Sequence, residues 1–228
     1  TLTSISGYNK HDWLYQEDWD GSPDALSGWM QDQSGEYYSQ EVRINVEASE
    51  SLTWYVGASA YKEDISALLV NDAADVAPYL GLDLPFAIPV YESNYTEGAY
   101  SGWAVYGDMT YRLTEKMDVS VGARYTVDEK EAVTEIQGQG LVWPVVTPTP
   151  VKGKQDWSDF SPRITLRYFT DHDMMLFGSV SQGYKAGGFA TDDVVGSTYN
   201  PGAGIFVADD DATLDGFEPE TILSRSEE

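Results

Sequence analysis

The chain has 228 residues, 42% of them apolar, which is a folded rather than a disordered composition. Asp and Glu number 38 against 13 Lys and Arg, and the resulting formal charge of −25 excludes a basic groove and with it a nucleic-acid partner. There is no cysteine, so disulfides and thiolate metal sites are excluded, and two histidines, His11 and His172, are too few for a histidine-based zinc centre. No run approaches the ~20 apolar residues of a membrane helix, so a membrane could be crossed only by strands.

Taken in chain order, the residues alternate with period two rather than 3.6. Leu2 to Asn9 alternates weakly. Val42, Ile44 and Val46 oppose Glu41, Arg43, Asn45 and Glu47, and a turn near Ser49-Glu50 leads to Leu52, Trp54, Val56, Ala58 and Ala60 against Thr53, Tyr55, Gly57, Ser59 and Tyr61. Trp103, Val105, Met109, Tyr111 and Leu113 form the next apolar face, opposite Asp108 and Arg112. After the turn Thr114-Glu115-Lys116 come Val119, Val121, Ala123, Tyr125 and Val127, opposite Asp118, Ser120, Arg124 and Asp128. Phe160 to Tyr168 and Met174 to about Lys185 flank a third turn, at Thr170-Asp171-His172, and a last strand begins at Phe217. These make about eight strands, several of 10 to 16 residues, longer than the ~5–6 of globular strands and sufficient for the ~9–11 a tilted membrane strand needs.

The connections alternate, short turns with long polar segments at 10–35, 65–96, 134–154 and 187–216. Four such segments, read as loops, are foreign to an ordinary domain. Gathered at one end of a membrane barrel they are what an outer-membrane protein carries, with its short periplasmic turns, long extracellular loops, apolar residues toward lipid and polar ones toward the lumen. The expected fold is therefore all-β, an antiparallel transmembrane β-barrel segment. The short turns 48–51, 114–117 and 170–173 belong at one end, and the long loops at the other. The long segments carry about 17 acids and three lysines, which predicts an acidic rim.

Ser181-Gln182-Gly183-Tyr184-Lys185-Ala186-Gly187-Gly188-Phe189 resembles the segment that ends a barrel strand in TonB-dependent outer-membrane receptors. Gln40-Glu41-Val42-Arg43-Ile44, Phe160-Ser161-Pro162-Arg163 with Tyr168, and Phe217-Glu218-Pro219-Glu220-Thr221 fit the same family in order. The resemblance implies that residues 1–228 are a central part of a barrel of about 22 strands, with the plug domain and C-terminal strands lying outside this sequence. It implies a Gram-negative outer-membrane receptor driven by the TonB–ExbB–ExbD complex, through parts outside this chain, and embedded in outer-membrane lipid. The ligand it implies is a scarce nutrient, foremost a ferric siderophore, with haem, cobalamin or an oligosaccharide as other ligands and a passive porin-like channel as the alternative. Such a channel would fold one loop inward to constrict its lumen.

No catalytic residue is expected. There is no Gly-x-Ser-x-Gly elbow, no acid and base around a common pocket, and Gly183 to Gly188 lacks the Gly-Lys-Ser/Thr ending of a phosphate loop. Neither a cofactor nor a metal site is expected: the aspartates at 192, 193, 209–211 and 215 do not follow EF-hand spacing, and His11 and His172 read as loop and turn residues. The candidate ligand contacts are loop aromatics, Trp13, Tyr15, Trp19, Tyr91, Trp143, Tyr199 and Phe206, whose rings can hold an organic ligand. Tyr95 and Trp157 read as members of an interfacial girdle.

Overall fold

A computed structural model of the chain describes residues 1–21, 23, 26–73, 90–138, 142–171 and 174–227. Eleven strands form, and no helix is present among the described residues: β1 (Leu2–Asp18), β2 (Ser27–Ser49), β3 (Leu52–Ala73), β4 (Val90–Thr114), β5 (Met117–Gln137), β6 (Val145–Val146), β7 (Val151–Phe169), β8 (Met175–Lys185), β9 (Gly188–Asn200), β10 (Ile205–Phe217) and β11 (Glu220–Glu227). Eight of them, in the order β1-β2-β3-β4-β5-β7-β8-β11, pair antiparallel into one wall. The other three form a branch. β9 pairs with β10 as a hairpin, and β10 runs parallel to β6 and touches β7 at Thr213 and Lys152.

The register turns alternation into sidedness, because residues paired across strands face the same way. One row runs Val46, Trp54, Met109, Val121, Ile164 and Val180. The adjacent row on the other face runs Asn45, Tyr55, Asp108, Gly122, Arg163 and Ser181. Exposure is inverted relative to a water-soluble protein: Val121 and Ile164 are 47% and 51% exposed, whereas Ser120 and Asp128 are 8% and 6%. An apolar band of that extent in water is an aggregation surface, and against lipid it is the solvated side. Aromatics bound the band, with Trp103, Tyr125, Phe160, Tyr8 and Tyr38 at one margin and Tyr111 and Tyr168 at the other. From Trp103 to Tyr111 is about 27 Å along the strand at ~3.4 Å per residue, or about 21 Å in height at a ~40° tilt, close to the ~25 Å apolar band of such barrels.

The ends sort as expected. Arg112 N–H donates to Ser51 O, Phe169 N–H to Lys116 O, and the Lys116 ammonium pairs with Asp171, so the three short turns are neighbours. Residues 172 and 173, with His172, lie outside the described residues. At the opposite end the four long segments touch one another: Trp29 packs on Trp143, Asn94 Nδ2 donates to Thr191 O, and Phe206 N–H donates to Pro144 O.

Much of those long segments is strand rather than loop, which corrects the reading from sequence, while residues 74–89 and 139–141 of the expected loops lie outside the described residues. The β1–β2 ladder runs unbroken to Asp18 and Gly28, the β3–β4 ladder to Ala73 and Val90, and residues 188–200 and 205–217 form the β9–β10 hairpin. Above the membrane both faces of a strand meet water, so no apolar alternation betrays it, although the ladder still satisfies the backbone. β4 continues for about 41 Å along the strand from Trp103 to Tyr91, so the wall stands about 30 Å clear of the upper girdle.

Candidate functional site

The inner face above the girdle is built row by row from the same register. His11, Trp13 and Tyr15 of β1 pair with Gly35, Gln33 and Gln31 of β2 and face inward with them. The His11 ring lies over Gly35, where an added Cβ would meet its Cε1 at 2.5 Å, and His11 Nε2 sits 3.3 Å from Gln33 Nε2. Glycine is needed there because the imidazole occupies the space of a side chain. Trp13 and Tyr15 remain exposed. The Tyr15 hydroxyl donates to Glu17 Oε2 at 3.0 Å, and that hydrogen bond pushes the phenol above its ordinary value of 10, so it stays protonated and able to donate at any physiological pH.

Beyond the end of β1, Trp19 stacks on Trp29 with centroids 5.2 Å apart and planes within 4°. Trp29 in turn tilts against Trp143 at 5.9 Å. The three indoles form a ladder from solvent, where Trp19 is exposed, to the interior, where Trp143 is buried. Glu92 fixes the inner rung, its Oε2 accepting the Val142 and Trp143 N–H groups at 2.7 and 3.3 Å. Trp29 was not among the sequence candidates. Its odd number, in phase with inward Arg43 and Tyr37 on β2, is the signal that extending the strand would have supplied.

Tyr199 and Phe206 contact each other at 5.3 Å beside the 201–204 turn, and Phe206 pairs with Val145, two residues from Trp143. Tyr91 does not join them. It lies opposite in phase to inward Glu92 on β4, is exposed, and faces outward. Trp157 also departs from expectation. Paired with Asp128 it faces inward rather than to the lipid interface, and it is buried with its ring 6.2 Å from that of Phe189 and Lys130 Nζ 5.9 Å from its centre. Tyr95 is exposed on the outer face, its hydroxyl donating to Glu97, but it lies on β4 well beyond Trp103 and so stands above the aromatic margin rather than in it.

The β9–β10 hairpin folds onto the inner face rather than away from it. Lys130 Nζ donates to Gly187 O at 2.7 Å, and a Cβ on Gly153 of β7 would strike Phe189 and Leu214. Ala132, Ile136, Trp143, Val145, Val151, Val194 and Leu214 close a small apolar core between hairpin and wall. The aspartates of the hairpin point elsewhere than into a common site: among the described residues no three acidic or histidine side chains are placed to hold a metal.

Lower on the inner face the chain gathers five of its six arginines, Arg43, Arg112, Arg124, Arg163 and Arg167. Arg163 pairs with Asp108 at 2.6 Å, and Asp118 lies 3.9 and 3.6 Å from Arg112 and Arg167. Arg43 and Arg124 lie instead over the rings of Tyr55 and Tyr106 at 5.6 and 5.5 Å.

The arrangement is thus a wall with a lipid-facing apolar band, a polar inner face, an aromatic mouth and a hairpin laid inward. No curated protein sequence matches the chain. Among solved structures, the ferric yersiniabactin uptake receptor FyuA from Yersinia pestis superposes on 98% of the chain with a TM-score of 0.71 at 17% identity. The chain spans 29% of that receptor's length, and at this identity the likeness is one of fold. The family model for the TonB dependent receptor-like β-barrel matches residues 1–224, so the chain belongs to the TonB-dependent receptor family, as part of its barrel.

Proposed function

We propose that this chain forms part of the wall and mouth of an outer-membrane receptor for TonB-dependent active uptake of a scarce nutrient, foremost a ferric siderophore. The observation that carries the reading is the inverted exposure of the wall, an apolar lipid-facing band backed by a polar, arginine-bearing lumen, in a chain whose family is that of TonB-dependent receptors. Energy comes from the inner membrane through TonB with ExbB and ExbD. The inward β9–β10 hairpin is a feature a passive channel would share, so dependence on TonB is the decisive property.

Uptake of a radiolabelled iron–siderophore by cells carrying the full-length gene is expected to cease when TonB is deleted, while surface binding persists. Undiminished uptake without TonB would identify a passive channel, and absence of binding across a siderophore panel would shift the ligand to haem, cobalamin or an oligosaccharide. The inner-face aromatics supply the capture surface. Trp19→Ala, which strips the exposed rung from the indole ladder, is expected to weaken ligand binding by about tenfold, since a buried aromatic contact contributes on the order of 1 kcal/mol or more. Tyr91→Ala, on the outer face, is expected to leave it unchanged. Equal effects in an equilibrium binding assay would remove the mouth aromatics from the site.

A further inference from the structure

Six lysines lie at or above the upper aromatic margin, and none of them offers a free cation to the mouth. Lys10, Lys62 and Lys154 stand on the outer face in ion pairs with Glu36, Asp64 and Glu129. Lys152, in phase with Lys154, shares that face, and Lys185 pairs with Glu220 where β8 meets β11. Lys130, paired with inward Tyr100, does turn to the lumen. Its Nζ donates to Gly187 O at 2.7 Å and lies 5.5 and 5.9 Å from the centres of the Tyr100 and Trp157 rings, so it is engaged at the base of the hairpin. The arginines all lie below this level.

Where base is missing, a flat electron-rich face stands open. Trp19 is stacked on Trp29 with planes within 4°, yet it remains 50% exposed, so one face of the indole is covered and the other is free. The turn that carries it is tied down. Trp19 N–H donates to Ser27 O, Asp18 Oδ1 accepts the Asp20 and Gly21 N–H groups, and Asp20 Oδ2 accepts those of Leu26 and Ser27. The indole is therefore in place before anything binds, with a carboxylate-bearing residue on each side of it in the chain.

The wider field has the same sign. The β9–β10 hairpin, laid onto the inner face, carries Asp192, Asp193, Asp209, Asp210, Asp211 and Asp215 and no lysine or arginine. Val194 and Leu214 form its buried side, and all six aspartates stay exposed. Their potential reaches over about a Debye length, ~10 Å at 0.1 M salt. Indole is the best aromatic seat for a cation, and a negative field around it adds to the attraction. An anion would meet the ring face and the carboxylates with like sign and would find no guanidinium or ammonium to answer it. Lys130, resting on two rings and a carbonyl, is an ammonium already seated by this chemistry on the same wall.

We propose that Trp19 is a cation seat at the entrance, so that the sector of the mouth built by this chain takes a positively charged group of the cargo, an ammonium or a guanidinium, and turns anionic cargo away. The inference rests on reading the barrel as an uptake route, and adds the sign of the charge that this sector accepts.

The test titrates the purified intact receptor in detergent with three probes of one shape, para-fluorobenzylammonium, para-fluorobenzyl alcohol and para-fluorophenylacetate, followed by fluorine NMR at low salt. The ammonium is expected to bind on the order of tenfold more tightly than the phenylacetate, with the alcohol between them. Raising the salt to about 0.5 M is expected to narrow that gap. Trp19→Leu, which keeps an apolar side chain and removes the ring face, is expected to lower the ammonium to the level of the alcohol, and Trp19→Phe to keep part of the preference. Asp209→Asn, Asp210→Asn and Asp211→Asn together are expected to strengthen phenylacetate binding severalfold. Heat-modifiable migration on gels establishes that each variant is a folded barrel. Phenylacetate bound as tightly as the ammonium, no binding of the ammonium, or a preference that survives Trp19→Leu would overturn the proposal. The probes carry no iron and need no TonB, so their failure is separable from a failure of the uptake experiment.

Discussion

Val121→Arg is expected to destabilise the intact barrel by ~2–4 kcal/mol in a lipid refolding titration, and Ser59→Arg by well under ~1 kcal/mol. Val121 is 47% exposed and lies between the two aromatic margins, in a row with Met109 and Ile164, so an arginine there must reside in hydrocarbon or distort its way to the interface. Ser59 faces inward between Glu41, with which it pairs, and Arg124, whose Nη2 lies 3.4 Å from its Oγ, so an arginine at that position stays wet and has a carboxylate neighbour to set against the like charge. Ser120 is the nearer inward residue but a poor comparator. It is almost enclosed and bonded to Thr110 at 2.8 Å, so a long side chain there would report crowding rather than solvent. Equal costs at Val121 and Ser59 would contradict the assignment of faces.

The second large effect is local. Trp157 is 6% exposed and wedged between Lys130 and Phe189, with Gly187 beneath its ring, so it holds the base of the β9–β10 hairpin to the wall. Trp157→Ala removes a buried indole, a change of ~3–5 kcal/mol in a tightly packed place. Because the β-ladders of the wall do not pass through that contact, the loss is expected to fall on docking of the hairpin rather than on the barrel. Amide exchange in residues 188–200 and 205–217 should then accelerate by about two orders of magnitude, with exchange in β3 and β4 unaltered. Unaltered exchange in the hairpin would show that the apolar core around Val194 and Leu214 suffices to hold it.

Where one face of a strand meets lipid and the other water, the sequence was legible. Val119, Val121 and Tyr125 alternate against Ser120 and Arg124 because the two solvents differ, and from that contrast came the eight-stranded wall, its faces and the sorting of its turns. Where both faces meet water the contrast vanishes. Asp12 and Trp13, or Gln31 and Asp32, bear no periodic sign of the strands they occupy, and so those strands read as loops. The inward path of β9 and β10 depends on tertiary packing, on Gly153 leaving room for Phe189 and Leu214, and no local pattern encodes it. The same blindness affected the site. Trp13 and Tyr15 face inward on β1, Trp19 and Trp143 are joined through Trp29, and Tyr199 meets Phe206 on the β9–β10 hairpin, whereas Tyr91 faces outward and Trp157 inward because phase along β4 and β7 decides them. Trp29 was passed over for the same reason.

The height of the wall above the membrane bears on how fast and how selectively the receptor works. The β1–β2 and β3–β4 ladders that raise the wall above the membrane are already ordered before a ligand arrives, so association does not have to freeze them. Encounter rates should therefore vary little among variants of the mouth, and differences in affinity should emerge as differences in residence time. The same stiffness narrows the range of acceptable shapes where these ladders line the mouth: a wall that cannot remodel itself discriminates by fit, and changing that fit would require altering the ladder itself.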